Sequence, residues 1–313
     1  MNFFRTKKSP GLVADVTPDA KSTRDGPVSL HEKFKQYPQI SRLSHDVKSN
    51  FMRGGLLGNE RFLPNDKLEE LVTEVSVLSA LHETTIEQQH HKDLAKWVIE
   101  SGKRLFLTLV LLERDSEEHL SSLLDLKNSG VNDSALPLGF SEGKTCYGYP
   151  LAGGAEGTQK FHAFRDWEDN NLIVFRVLQW IFFAPVFGTS TKFRHQLNSE
   201  QPVPILNMAN DSVQDRVIGE VLHGELHLAH IDLQRLAALG VSNTAGLQGI
   251  PVSIKIVRSS DDLRLFENIN TGRLKAEIPG LYRGQLQPIA AYEKKGEGYI
   301  IYRWRDDGDE VAN

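Results

Sequence analysis

The chain has 313 residues, 40% hydrophobic and 25% charged, which excludes the disordered and fibrous classes and fits one or two ordinary folded cores. A net charge of −5 with no Lys/Arg block leaves no basic footprint for nucleic acid. The single cysteine, Cys146, excludes an internal disulfide framework and a Cys-rich zinc site, and favours a reducing intracellular compartment, cytoplasmic or nuclear.

The N-terminus, Met1 to Lys8, has no apolar run behind its charges, so a secretory signal is not expected. Residues 1–26 are rich in Lys, Asp, Ser, Thr, Pro and Gly without periodicity and read as a flexible arm. Leu30 to Tyr37 suits a short helix closed by Pro38. Leu68, Leu71, Val72, Val75, Leu78 and Leu81 recur at helical spacing behind an N-cap at Asn65 or Asp66, which predicts one amphipathic helix over 67–82. A second helix is expected from Ile86 to Glu100, stopped by Gly102, with His90 and His91 solvated.

Leu105 to Leu112 is apolar all round and reads as a central buried helix or, on periodicity alone, a buried strand. Glu117 to Lys127 looks helical, with Gly130 as its terminator. Gly139 to Gly157 is turn-like, and Gly153 to Gly157 lacks the Lys-Ser/Thr of a phosphate loop. Leu172 to Phe187 is membrane-like, but it contains Arg176 and Gln179 and falls short of the ~20 apolar residues of a spanning helix. A buried helix or strand pair is expected there, and no membrane contact. Beyond about residue 200 the apolar residues alternate, with Gly219, Gly224, Gly240, Gly246 and Gly249 between them. The expected architecture is α+β: a mainly helical domain over 27–187, then a sheet domain over 188–313.

Within the second domain, Ile250 to Val257 is an apolar strand with Lys255 near its middle. Leu263 to Ile278 follows as a helix, then Leu286 to Ala291 and Tyr299 to Trp304 as two more strands. A lysine on a buried strand is costly unless it meets an anion. Val252-Ser-Ile-Lys255 is similar to the Val-Ala-Ile-Lys strand of protein kinases. Gln179 to Phe187 and Glu225 to His230 resemble further stretches of kinase-like proteins of filamentous fungi, in which a helical region precedes the kinase domain. The resemblance covers roughly residues 60–305. It implies an antiparallel small-lobe sheet with one helix, and ATP contacts through Lys255, Gly219 and the hinge at Trp304. Glu267 is the candidate ion-pair partner of Lys255.

The sequence also departs from that family. Gly219 is the only glycine in the stretch that would be the glycine-rich loop, 207–220. Ile269 occupies the position of the helix glutamate, and Glu267, two residues earlier, is rotated by about 200° on a helix. No His-Arg-Asp-x-x-x-x-Asn or Asp-Phe-Gly string occurs, so no catalytic residue is assigned. The expected function is that of a non-catalytic, pseudokinase-like protein acting through a protein partner or self-association. Its apolar surface near Tyr302 and Trp304 would be exposed where a large lobe would pack. The alternative is a serine/threonine kinase fragment that binds ATP and whose catalytic lobe is missing from this chain.

His223, His227 and His230 are spaced like metal ligands on a helix, but the order His-Gly-Glu-Leu-His misplaces the general base of a metallopeptidase. On a strand, His223 and His227 would lie about 13 Å apart. No metal or cofactor is expected, ATP excepted.

Overall fold

The computed structural model describes residues 39–112, 119–141, 146–151, 159–189, 192–209, 212–215, 219–241, 244–257 and 288–304. The N-terminal arm, Leu30 to Tyr37, Gly153 to Gly157, the helix expected over Leu263 to Ile278 and Glu267 lie outside them. The described residues fall within one compact unit, of the α+β class.

The first helix, α1 (Gln39–Ser49), buries Ile40, Leu43 and Val47 on one stripe. Its first backbone N–H groups, at Gln39 and Ile40, donate to the carboxylate of Glu83, which neutralises the positive helix end. A hairpin follows, β1 (Met52–Gly54) against β2 (Glu60–Phe62). The single helix expected over 67–82 is two helices, α2 (Asn65–Leu71) and α3 (Glu74–Leu81). Thr73 divides them. Its hydroxyl accepts from Ser76 N while the Ser76 hydroxyl accepts from Thr73 N, and this reciprocal cap competes with a continuous helical ladder.

Gly102 does not end a helix. Helix α4 (Gln88–Trp97) continues through a π-turn (Val98–Gly102) into α5 (Lys103–Leu112). A side chain at Gly102 would meet the Trp97 ring at 2.9 Å, so close packing accounts for the glycine. His91, expected in solvent, is buried, with its Nε2 2.8 Å from the Ile86 carbonyl. Leu105 to Leu112 is helical and fully buried, and α5 is the centre of the helical core. Helix α6 (Leu123–Asn128) ends at Gly130, whose φ of +81° lets the Val131 N–H return to the Leu126 carbonyl. The glycine-rich stretch that follows holds a short hairpin, β3 (Leu138–Phe140) with β4 (Gly148–Pro150). The apolar run after 166 is helical: α7 (Asp169–Leu178), then a 3-10 turn (Gln179–Phe182). No described helix is long and apolar enough to cross a membrane.

From Phe187 onward the chain builds a sheet of seven strands among the described residues. They are β5 (Arg194–Gln196), β6 (Ile205–Leu206), β7 (Val213–Asp215), β8 (Gly219–His227), β9 (Gly249–Val257), β10 (Pro288–Lys294) and β11 (Glu297–Arg303). The order is β5-β10-β11-β9-β8-β6, with β7 also on β8. All pairs are antiparallel except β10–β5, which departs from the wholly antiparallel sheet expected. A short helix, α8 (Leu233–Ala238), capped by Asp232, lies between β8 and β9. The turn Lys295-Gly296 has positive φ at both residues, as a two-residue hairpin with the sheet's right-handed twist requires.

Two large apolar clusters result. One runs from Ile40 to Phe182 and the other from Phe187 to Ile301. A third, small cluster of Phe62, Ala184 and Leu206 joins the β2 strand to β6.

Candidate functional site

Strand alternation sorts the residues of β9 onto two faces. Ile250, Val252 and Ile254 enter the sheet core, which leaves Ser253 and Lys255 on the opposite face. Lys255 is half-buried between Val221 of β8 and Ile300 of β11. Among the described residues, none forms a hydrogen bond or ion pair with it.

Gly219 begins β8, opposite Asp215, about 7 Å along the strand from Val221. Trp304 stands at the other end. Its N–H donates to the Pro251 carbonyl at 3.1 Å, roughly 13 Å from Lys255 along β9. Gly219 and Lys255 therefore share one end of the sheet, and Trp304 the other. Trp304 is 40% exposed and its ring lies 4.4 Å from that of His223. The His223 Nδ1 is 3.2 Å from the Ser253 hydroxyl, so imidazole, indole and hydroxyl form one small cluster.

Tyr302 is buried, contrary to the expectation of an exposed surface around it. Phe193, beside β5, and Ala291 of β10 extend that face and pack with Val221, Val257 and Ile300 around it. Burial also holds its hydroxyl well above the usual tyrosine pKa.

Of the other two histidines of the triplet, His227 is the last residue of β8 and His230 lies in the 3-10 turn beyond it. His227 and His230 stand 5.8 Å apart, each edge-on to the Phe62 ring. Burial pushes the His230 pKa down to about 4 and lowers that of His227 as well. Among the described residues no group of three or more His, Cys, Asp or Glu side chains could hold a metal ion.

A polar constellation that periodicity did not point to lies on the core side of the sheet. The Lys294 ammonium pairs with Glu60 Oε1 at 2.5 Å, and Glu60 Oε2 accepts from Val203 N at 2.8 Å. Gly55, with φ +79°, makes room for that carboxyl group, because a Cβ there would meet Glu60 Cδ at 2.5 Å. Tyr292 and Tyr299 stack with centroids 4.7 Å apart. The Tyr299 hydroxyl donates to Glu297 Oε2, while the Tyr292 hydroxyl is fully buried with no hydrogen-bond partner among the described residues. Burial and neighbouring Tyr299 and Glu60 raise the Tyr292 pKa well above its ordinary value. These residues line a cavity of about 310 Å³ with Leu56, Leu57 and Val203.

The signal that could have flagged this cavity is faint. It is the alternation Tyr292-Glu293-Lys294, which sends a lysine to the same face as a core tyrosine. Its partner Glu60 is far away in sequence and cannot be inferred from it. No protein-family model matches this chain, and no curated protein or solved structure matches it.

Proposed function

We propose that this chain is a kinase-like binding protein, in which a helical region precedes a small-lobe-like sheet that engages a protein partner without transferring phosphate. The observation that carries the reading is Lys255. It sits near the middle of β9, between β8 and β11, in the strand that resembles the lysine strand of kinases. The two later strands, β10 and β11, pair antiparallel and return to β9, in keeping with the two strands that lead to a kinase hinge.

One further feature supports a binding role. Trp304, partly exposed and backed by His223, puts on the Lys255 face a residue type enriched in interface hot spots. The test is sedimentation velocity of the full chain, with Trp304→Ala and Lys255→Glu beside it, and a phosphate-transfer assay with Mg-ATP and casein. Self-association lost in both variants, without transfer to casein, is the expected result. Measurable transfer by the purified chain would overturn the proposal.

ATP binding through the same lysine is the second reading. It is favoured by the place of Lys255, half-buried near the middle of the strand that resembles the kinase lysine strand. A nucleotide at a hundred times its Kd stabilises by ~2.7 kcal/mol. Thermal melts with ATP should show that gain, and Lys255→Ala should abolish it. An unchanged melt at saturating millimolar ATP removes this reading.

A further inference from the structure

We propose that the partner taken by Lys255 is the acidic segment after β11, Arg305 to Glu310, of a second copy of this chain, the two copies pairing reciprocally across their Trp304 ends. The inference rests on the reading that the Lys255 face is the binding surface, and it names the occupant.

The strand register shows what surrounds the lysine. Directly opposite it stand Val221 on β8 and Ile300 on β11, and its diagonal neighbours are His223, Gly298 and Tyr302. On its own strand the same face carries Ser253 and Val257. Val221 and Ile300 are fully buried, so the stem of Lys255 packs between apolar side chains while the residue stays half-exposed. The sheet supplies apolar and neutral neighbours, and an anion for the ammonium comes from outside it.

Charge picks out one stretch of the chain. Asp306, Asp307, Asp309 and Glu310 put four carboxylates into five residues, beside the single basic residue Arg305. From Arg258 to Gln287, by contrast, five basic side chains accompany four acidic ones.

Chain direction assigns the acidic segment to a neighbouring copy. Strand β11 runs antiparallel to β9, so the chain passes Lys255 at Ile300 and has moved away by Trp304, whose N–H meets the Pro251 carbonyl. From Pro251 to Lys255 is about 13 Å along β9. A return to its own lysine needs a reversal first, which uses about three residues and leaves about 10 Å of chain, so at best Glu310 comes back. A copy related by a two-fold axis beside Trp304 presents its Lys255 about 13 Å past its own Trp304, in the direction the chain is already travelling. At about 3.3 Å per residue, Asp309 and Glu310 extend about 17 and 20 Å beyond Trp304 and both reach that lysine. The arrangement also gathers two half-exposed Trp304 side chains at the centre of the contact, where interface hot spots concentrate.

The experiment is sedimentation velocity of the full chain over a concentration series, in low and in molar salt. The parent should dimerise in low salt and less tightly in molar salt, where exposed charges are screened. A variant with Asp306→Asn, Asp307→Asn, Asp309→Asn and Glu310→Gln together should dimerise about tenfold more weakly. The deciding measurement mixes two chains. Lys255→Glu lacks the receiving charge and the four-amide variant lacks the donated ones, so neither should associate at concentrations where the parent does. Mixed in equal amounts, they should form a heterodimer through one intact pairing. Lys255→Gln, which removes the charge without adding one, takes the place of Lys255→Glu if the latter lowers the Tm. The inference fails if the parent is monomeric throughout, if the four-amide variant dimerises as tightly as the parent, or if the mixture stays monomeric. A four-amide variant that still dimerises while Lys255→Glu does not would sink this inference alone, with the Lys255 face still the binding surface. Phosphate transfer to casein would sink the underlying reading instead.

Discussion

Lys294 and Glu60 stand 234 positions apart in the chain and meet in an ion pair of 2.5 Å, with the lysine 8% exposed and the glutamate 26%. The same carboxylate receives the Val203 N–H, so one side chain ties the β2 strand to the approach to β6 and to the last hairpin. Removing one partner of a buried pair leaves an uncompensated charge, which costs about 3–5 kcal/mol when burial is complete. Glu60 is partly solvated, so we expect Lys294→Met to lose about 2–3 kcal/mol in urea denaturation. Adding Glu60→Leu should recover part of that loss, because the double replacement leaves no lone charge. A single-variant loss no greater than a surface pair's, roughly 0.5 kcal/mol, would show the pair to be incidental.

Acid should weaken the fold before the carboxylates titrate. His230 is fully buried, with its Nδ1 3.1 Å from the Pro185 carbonyl and its Nε2 without a partner among the described residues. Protonation would place a charge beside Phe62 and His227, which the Pro185 and Ala184 carbonyls and Asp66 offset only in part. Burial takes its pKa from 6.5 to about 4, and burial together with Lys192 does the same to His195. A histidine with a depressed folded pKa contributes stability that is present above the unfolded value and is lost as pH falls through the window from 6.5 to 4. For His230 the full effect is on the order of 3 kcal/mol. Denaturation midpoints measured across that window should fall with acid, and His230→Leu should flatten the curve. A parent whose midpoint is constant from pH 7 to 4.5 would contradict the burial argument.

Long-period patterns were legible in this sequence, and the exceptions trace to tertiary contacts. The alternation of Ile250, Val252 and Ile254 reveals β9, and the uninterrupted run Leu105 to Leu112 marks a fully buried element, though not its type. The break at Thr73 was hidden because Leu71, Val72 and Val75 keep the helical spacing across it, while a local hydroxyl cap decides the backbone. Gly102 carries the signature of a helix stop, yet it answers to the Trp97 ring above it. Strands β5, β6 and β7 have two or three residues each, too few to show any period. For the candidate sites the contrast is sharper. Lys255 stands out as a charge within an apolar strand, whereas Lys294 becomes notable only once Glu60 is folded against it.

The π-turn between α4 and α5 makes a second local prediction. Asp133 reaches this interruption from the loop after α6, and its carboxylate accepts from the N–H groups of Arg104 and Leu105, both at 3.0 Å. Its own N–H donates to the Ser101 carbonyl at 2.9 Å. The arrangement works as a helix N-cap placed inside a continuous helix, and loss of such a cap costs about 0.5–2 kcal/mol. Asp133→Ala should fall at the upper end of that range, because the two amides border the buried start of α5. Hydrogen exchange at Arg104 and Leu105 is the direct reading. Unchanged protection there in the Asp133→Ala variant would mean that the π-turn holds itself.

Gln179 is the sharpest test of the helical core's polar interior. It is completely buried, and its side-chain amide pairs with the Leu138 backbone in both directions. Oε1 accepts from Leu138 N and Nε2 donates to Leu138 O, each at 2.7 Å. The amide therefore acts as one more strand residue beside β3, and anchors that hairpin to the end of α7. Gln179→Leu keeps the volume but orphans a buried donor and a buried acceptor, each worth about 1–3 kcal/mol. We expect a loss of roughly 2–4 kcal/mol in chemical denaturation. Gln179→Glu should be at least as damaging, since a carboxylate can accept from Leu138 N but faces the Leu138 carbonyl with no proton to donate. If the glutamate variant were instead as stable as the parent at neutral pH, the amide would not be the pairing group, and the hairpin would be held by its apolar contacts alone.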